Sequence, residues 1–336
     1  MEVVRGWSHQ PFKISDISCV GEVRRFCAKA VEGWGWSEVD AGRLSLVATE
    51  LGTNLVRHAQ EGELWISIWP ESEEIEIIAL DSGPGIVDMQ RSFQDGFSTG
   101  SGSPGTGLGA IRRLASDFDI HSSPQGTLCL VRVRATGKAR AAVRRWGAAS
   151  IAVQGETVCG DGWAVALDGH RLAAVVADGL GHGPHAATAA QAAMDVFMSA
   201  PFDPLELLMQ HTHTNLQTTR GAALFALRTD AADKLQYTGA GNVLGRLISG
   251  VADRSMVTQN GTVGARVRKT ELTDLEWPEH SVAVLFTDGI VSRWSAQEVI
   301  PLMQRDPTLI AAALLWRLNR GRDDATVLVV KQGSLS

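Results

Sequence analysis

The sequence predicts two layered α+β domains, the first an α/β sandwich. Three observations carry this expectation. The chain has 336 residues, about twice a usual domain. Its composition pattern changes near residues 135–147. On both sides of that junction, runs with helical apolar spacing stand beside runs that alternate as strands do.

In the first half, a helical stretch at 21–31 leads to "DAGRLSLVATELGTNLVRHA", where Asp40 is the expected N-cap and Leu44, Val47, Leu51 and Leu55 recur at helical spacing. Strands follow at "LWISIW" and "EIEIIALD". A glycine-rich loop, a helix from Leu108 and a closing strand "TLCLVRVR" complete the half. In the second half, "GWAVALDGHRLAAVVADG" reads as a hairpin turning at Asp168-Gly169. Helices are expected at "HAATAAQAAMDVFMSA" and "PLELLMQHTHTNLQ", and strands at "AALFALR", "KLQYTGAG", "VAVLFTDG" and "ATVLVV". These strands are not strictly interleaved with helices, which favours α+β layering over a doubly wound sheet.

Composition excludes several classes. A hydrophobic share of 44% with 20% charged residues is that of a globular protein. A net charge of −6, with no basic run longer than "GKARAAVRR", disfavours nucleic acid as a partner. Cys19, Cys27, Cys129 and Cys159 form no CxxC spacing, which suits a reducing cytoplasm and gives no metal signal. No segment approaches about 18 uninterrupted apolar residues, so no membrane span is expected.

Four strand ends or turns of the second half place an acid beside Gly or another Asp. They are "CGDGW" (Asp161), "VADG" (Asp178), "FTDGI" (Asp288) and "RDDATV" (Asp323, Asp324). Gathered carboxylates raise each other's pKa unless a cation neutralises them. Oxygen-only donors favour Mg²⁺ or Mn²⁺, and two such ions sharing a carboxylate suit phosphate hydrolysis. His182 and His185 lie next to these acids, while His211 and His213, two apart, do not share a helix face.

The order "GDG", "ADGLGHG", "TTRGAA", "TDGI" and "RDDATV" resembles the SpoIIE/RsbX branch of the metal-dependent serine/threonine protein phosphatases, over about residues 147–333. The resemblance implies an αββα sandwich with a binuclear Mn²⁺ or Mg²⁺ centre. It implies that Asp178 bridges the ions, the Gly179 carbonyl completes one, and Asp288 and Asp323 hold the other. Asp161 is implied as a metal-site acid that orients the attacking water. Asp324 stands with the metal-binding acids as support, and the doublet leaves open which of Asp323 and Asp324 is the direct ligand. The phosphate-holding arginine of that family has no assigned counterpart, and Arg220 reads equally as a structural ion pair.

In the first half, "ELGTNLVRHA" puts Glu50, Asn54 and His58 on one helix face. "LDSGPGI" ends a strand with Asp81, Gly83 and Gly85, and "SPGTGLGAIRRL" opens a helix with backbone N–H groups suited to phosphate. These three stretches resemble the nucleotide-binding boxes of the GHKL ATPases over about residues 12–135, nearest the RsbT/RsbW anti-sigma serine kinases. The resemblance implies ATP with Mg²⁺. Asn54 would hold the ion, Asp81 the adenine amino group, and Gly83 and Gly85 would admit the base. Gly105, Thr106, Gly107, Leu108 and Gly109 would wrap the phosphates. Glu50 matches the general base, and residues 87–104 a short lid.

The expected boundaries are 1–136 for the ATP-binding domain, 137–146 for a linker and 147–336 for the phosphatase domain. The implied function is a cytoplasmic partner-switching or stress-signalling regulator. It would dephosphorylate phosphoserine or phosphothreonine on a STAS-type protein, with a sigma factor or its regulator as a further partner. The alternative is an ATP-dependent sequestration module in which phosphatase activity is secondary.

Overall fold

The computed structural model describes residues 1–93, 107–138, 144–231, 233–267 and 270–332. The chain divides into two compact units, one formed by Met1–Ser8 with Val143–Ser336 and the other by His9–Ala142. This corrects the expected boundaries in two places. The first eight residues belong with the second half of the chain, and a strand begins at Trp146, inside the expected linker. Residues 139–143 of that linker lie outside the described residues. The short "EVVR" strand has no local signature, because what makes it a strand is a partner some 160 residues away.

The elements begin with β1 (Glu2–Arg5), which belongs to the second unit. The unit His9–Ala142 then contains β2 (Gln10–Lys13), α1 (Ile17–Ala30), α2 (Glu38–His58), β3 (Glu63–Trp69), β4 (Glu74–Asp81), α3 (Met89–Ser92), α4 (Gly107–Leu114), β5 (Asp117–Ser123) and β6 (Gly126–Arg134). Asp16 caps α1, its Oδ1 accepting from Ser18 N at 2.7 Å. Ser37, not Asp40, caps α2. The Ser37 Oγ accepts from Asp40 N at 3.1 Å, the N-cap bond, and donates to Asp40 Oδ2 at 2.7 Å, which places Asp40 three residues past the cap. Asp40 also accepts from Thr136 N and Oγ1, and this set of hydrogen bonds, Thr136 Oγ1 first, lowers its pKa.

The five strands form an antiparallel sheet in the order β2-β3-β4-β6-β5. Alternate residues of one face, Leu64, Ile66, Ile75, Ile77, Val131 and Val133, pack against Val20, Val23 and Cys27 of α1, Leu44, Val47 and Leu51 of α2 and Ile111 of α4. The period of two in the strands and of 3.6 in the helices therefore meet in one core.

The second unit adds β7 (Trp146–Ile151), β8 (Asp161–Asp168), β9 (Arg171–Gly179), α5 (Pro184–Ser199), α6 (Leu205–Leu216), β10 (Ala222–Ala231), β11 (Lys234–Ala240), β12 (Leu244–Ile248) and β13 (Asp253–Met256). Then come β14 (Thr273–Glu276), β15 (Val282–Phe286), α7 (Pro307–Leu318) and β16 (Ala325–Lys331). One sheet runs β1-β8-β9-β10-β11-β14 and the other β13-β12-β15-β16-β7. Helices α5 and α6 cover the first through Ala190, Met194, Phe197, Leu208 and Met209, while α7 lies on β7 and β16. The sheets touch where Phe225 of β10 reaches Gly245 of β12, giving the helix–sheet–sheet–helix layering expected. The β8–β9 hairpin turns at Gly169-His170, one residue later than expected, since Asp168 pairs with Arg171. Strands β12, β13 and β14 and helix α7 had no expectation, although α7, "PTLIAAALLWRL", is buried along most of its length.

Strand β1 closes the edge of β8. It pairs from Glu2↔Leu167 to Arg5↔Ala164, Gly6 N donates to Trp163 O at 2.8 Å, and Arg5 pairs with Asp195 of α5. A chain beginning at His9 leaves β8 as an open sheet edge. Its loss of a few net hydrogen bonds, about 1 kcal/mol each, lowers the melting midpoint of this unit by about 5–10 °C. Differential scanning calorimetry measures this, and an unchanged midpoint would remove β1 from the fold.

Candidate functional sites

The acids of the second unit are brought to one end of its two sheets. Asp161 opens β8 and Asp178 comes near the end of β9, and the register places them directly opposite each other. On the other sheet β15 ends at Phe286, so Thr287 and Asp288 leave it just where Asp323 and Asp324 lead into β16. Thr287 N donates to Thr326 O at 3.1 Å, and Thr326 N to Thr287 Oγ1 at 2.9 Å, which ties these strand ends together. The glycines beside the acids are needed for this approach. A Cβ on Gly289 would lie 2.1 Å from Asp324 O, and one on Gly179 2.1 Å from Ala186 O.

The electrostatics follow from this gathering. Burial pushes Asp178 up to about 9, with Asp161, Asp288, Asp323 and Asp324 adding to the rise. Burial raises Asp161 to about 7, against hydrogen bonds from Thr287 and Thr326 that lower it. Burial, then Asp323, also raises Asp288, which accepts from Asn242 Nδ2 and feels Arg320. Among the described residues, no three His, Cys, Asp or Glu side chains are drawn around one point as a finished ligand set.

Asp324 differs from the other acids. Its Oδ1 accepts from Val153 N at 2.7 Å and its Oδ2 from Gly160 N at 2.8 Å, so both oxygens already hold backbone. Residues that sequence reasoning missed complete the arrangement. Thr287 Oγ1 donates to Asp161 Oδ2 at 2.8 Å, Asn242 Nδ2 donates to Asp288 Oδ2 at 2.5 Å, and the charge of Arg320 lowers the Asp288 pKa. Thr287 and Thr326 stand within "FTDGI" and "RDDATV", and that adjacency is the signal that could have found them. Nothing near Asn242 in sequence marks it.

His182 Nδ1 lies 2.7 Å from Glu156 Oε1, so the ring is tied to a carboxylate beside the acids, whereas no contact places His185 at them. His213 Nδ1 accepts from Gly264 N at 3.0 Å, a structural use. Arg220 extends Nη1 along the loop at Gly181.

In the other unit the three nucleotide stretches also converge. Glu50 and Asn54 of α2 are half-buried and His58 is exposed. A Cβ on Gly107 at the start of α4 would lie 3.1 Å from Asn54 Oδ1, followed by half-buried Leu108 and buried Gly109. Asp81 ends β4 opposite Thr127 of β6. Its Oδ1 accepts from Gly83 N at 2.7 Å, and Thr127 N–H binds it as well. Burial raises its pKa, while these hydrogen bonds and nearby His58 lower it. Gly85 has φ +79, and a Cβ there would lie 2.2 Å from Ser123 O, so only glycine fits. Ser122 Oγ accepts from Ile86 N at 2.7 Å and meets Thr127 Oγ1 at 2.9 Å. Ser122 and Thr127 belong to β5 and β6, and sequence reasoning assigned neither. The expected phosphate residues Gly105 and Thr106, and residues 94–104 of the expected lid, lie outside the described residues. The start of that lid holds α3, capped by Asp88.

No helix among the described residues is long and apolar enough to cross a membrane.

Comparison with known proteins fits this division. Residues 15–134 match the family described as histidine kinase-like ATPase domain, and residues 168–332 that of stage II sporulation protein E (SpoIIE). The serine/threonine-protein kinase RsbT of Bacillus subtilis (strain 168) is 35% identical over 109 residues, 32% of this chain and 79% of RsbT. A solved structure from work on the bacterial stressosome as a modular system adapted to control secondary messenger signalling is similar in fold. Its TM-score is 0.53 at 24% identity, covering 56% of this chain and 98% of its own. A crystal structure of RsbX in complex with magnesium gives a TM-score of 0.49 at 21% identity, covering 54% and 92%. The chain thus belongs to the RsbT family of histidine kinase-like ATPases and carries, beside that domain, a SpoIIE domain.

Proposed function

We propose that this protein is a partner-switching regulator whose SpoIIE domain removes phosphate from phosphoserine or phosphothreonine of a STAS-type protein, and whose ATPase-like domain binds ATP with Mg²⁺ and phosphorylates the same kind of partner. The observation that carries the reading is the pairing, on one chain, of an RsbT-like histidine kinase-like ATPase domain with a SpoIIE domain whose acids converge at one end of two sheets.

The acids fit two Mn²⁺ or Mg²⁺ ions. All donors are oxygens, and carboxylates lifted to about 7 and about 9 are those that a cation would restore to their charged form. Asp178, whose charge is coupled to all four other acids, would hold the ions together with the Gly179 carbonyl, Asp288 and Asp323. Of the doublet, Asp323 is the ligand, because Asp324 already binds the backbone of Val153 and Gly160 and so fixes the loops behind the site. When bound, two divalent ions supply a clamp on phosphoryl oxygens and an activated water. The chain's own part is orientation and proton transfer. Thr287, on Oδ2, and Thr326 hold Asp161 in the orientation in which it would take a water proton, and Asn242 fixes Asp288.

In the ATPase-like unit, the outer oxygen of Asp81 fits the amino group of adenine. Gly83 and Gly85 let the chain turn tightly against Asp81 and Ser123 beside the place proposed for the ring, and Asn54 beside Gly107 fits the Mg²⁺ of the triphosphate. Glu50, one turn before Asn54, is positioned as general base.

The test is a purified phosphorylated STAS-domain partner incubated with the full chain and Mn²⁺. Phosphate is released, and a chelator stops it; no release at any Mn²⁺ concentration sinks the phosphatase half. For the kinase half, Glu50→Gln keeps ATP affinity within about threefold while phosphotransfer to the unphosphorylated partner falls at least about 100-fold. If phosphotransfer is absent in the unaltered chain as well, and partner control survives Glu50→Gln, the first domain works by ATP-dependent sequestration instead.

A further inference from the structure

A cavity of ≈ 370 Å³ is lined by Arg320 and Arg322, in the turn "NRGRDD" that leads into Asp323 and Asp324. The backbone of this turn is fixed against the acid site. Arg320 N donates to Gly289 O at 2.8 Å, Val291 N to Leu318 O at 2.9 Å, and Ile290 bridges Asn319. The carbonyl that holds Arg320 thus belongs to the residue after Asp288, and the Arg320 guanidinium acts on the Asp288 carboxylate. Both arginine side chains are exposed, and neither makes a side-chain hydrogen bond or an ion pair within 4.0 Å among the described residues.

We infer that Arg320 and Arg322 form the seat for the substrate's phosphate dianion in this phosphatase site. The inference rests on the phosphatase reading above and names the group that reading lacks.

The reason is charge. With two divalent ions bound, five ionised carboxylates (Asp161, Asp178, Asp288, Asp323 and Asp324) still leave the centre net negative, and an approaching phosphate dianion is repelled. Two guanidinium groups at the rim reverse that balance. Arginine also matches tetrahedral oxyanions with paired N–H donors, which a lysine cannot do. A purely structural pair of arginines would be spent on carboxylates, as Arg246 is on Asp253. These two are left open beside a cavity. The first half of the motif, "NRGR", therefore serves substrate and the second half, "DD", serves the ion site and its supporting loops.

Inorganic phosphate is the probe. Its Kd for the full chain in the presence of Mn²⁺ is measured by equilibrium dialysis, along with its inhibition of p-nitrophenyl phosphate hydrolysis and the Mn²⁺ affinity. In the double variant R320Q/R322Q, the phosphate Kd and the KM for the aryl phosphate each rise at least about tenfold. The kcat stays within about threefold and Mn²⁺ affinity is unchanged, as expected for lost uniform binding. R320K/R322K, which keeps charge without the paired donors, falls between. An unchanged phosphate Kd in R320Q/R322Q overturns the inference. So does a rise in Kd matched by an equal loss of Mn²⁺ affinity, which would mean that the arginines act only through Asp288. If the unaltered chain hydrolyses no phosphomonoester, the phosphatase reading falls, and the two phosphate Kd values still decide for or against the arginine seat.

Discussion

Asp178→Asn abolishes divalent-dependent phosphate release, with a fall of at least about 1000-fold in kcat/KM, because the acid proposed to hold the ions can no longer carry charge. The same variant has a distinct signature without metal. In the cation-free chain, Asp178 stands at about 9 against an ordinary 3.8, through burial first and the four neighbouring carboxylates next. Between those two values the unfolded chain has lost this proton and the folded chain has kept it. Stability from this group is therefore full below about 4 and is lost progressively as pH rises toward 9. Asp161 adds the same trend up to about 7. Thermal unfolding of the metal-free protein across pH 5–9 should show a falling midpoint, and Asp178→Asn should flatten it. Mn²⁺ binding at pH 7.5 should also release about one proton per chain from Asp178, read by calorimetry in two buffers of different ionisation enthalpy. A variant that still hydrolyses phosphomonoesters, or a flat stability profile in the unaltered protein, would remove Asp178 from the centre of the site.

Asp81→Asn weakens ATP binding at least about 100-fold, measured by titration with a fluorescent ATP analogue. The carboxylate is half-buried and already takes Gly83 N–H and Thr127 N–H, so its remaining acceptor capacity is what the proposed contact to adenine would use. An amide there must turn either its oxygen or its NH₂ toward those backbone donors. With its oxygen turned to those donors, the amide presents NH₂ to the adenine amino group, a donor against a donor, and the contact is lost; turned the other way, it opposes the backbone N–H groups. Discrimination between ATP and GTP should shrink as well, since the exocyclic amino group of adenine is what a carboxylate distinguishes. ATP binding by Asp81→Asn within threefold of the unaltered chain would show that the end of β4 does not read the base.

Much of the local structure around both candidate sites was legible because it is written in short, contiguous stretches. "LDSGPGI" announces a strand that ends in an acid and a turn that only glycine permits, and the structure finds Gly85 at positive φ against Ser123. "VADG" and "FTDGI" likewise hold an apolar strand, its terminal acid and the glycine that allows close approach. The helix carrying Glu50 and Asn54 was readable from its apolar period. Its cap was misplaced by three residues, since Ser37 and Asp40 both suit an N-cap and only their geometry shows which one leads.

What the amino-acid sequence by itself determined was the identity of the acids, their glycines and most helices and strands, because periodicity and turn chemistry act over a few residues. Only the tertiary structure decided which distant groups serve them. Thr287 reaching Asp161, Asn242 reaching Asp288 and Asp324 holding the backbone of Val153 and Gly160 all depend on strands brought together across the fold. The same holds for β1, which becomes a strand only by pairing with β8. The physical reason is that a hydrogen bond or an electrostatic shift depends on distance in space, and for residues separated by a hundred positions or more the folded sheet alone sets that distance.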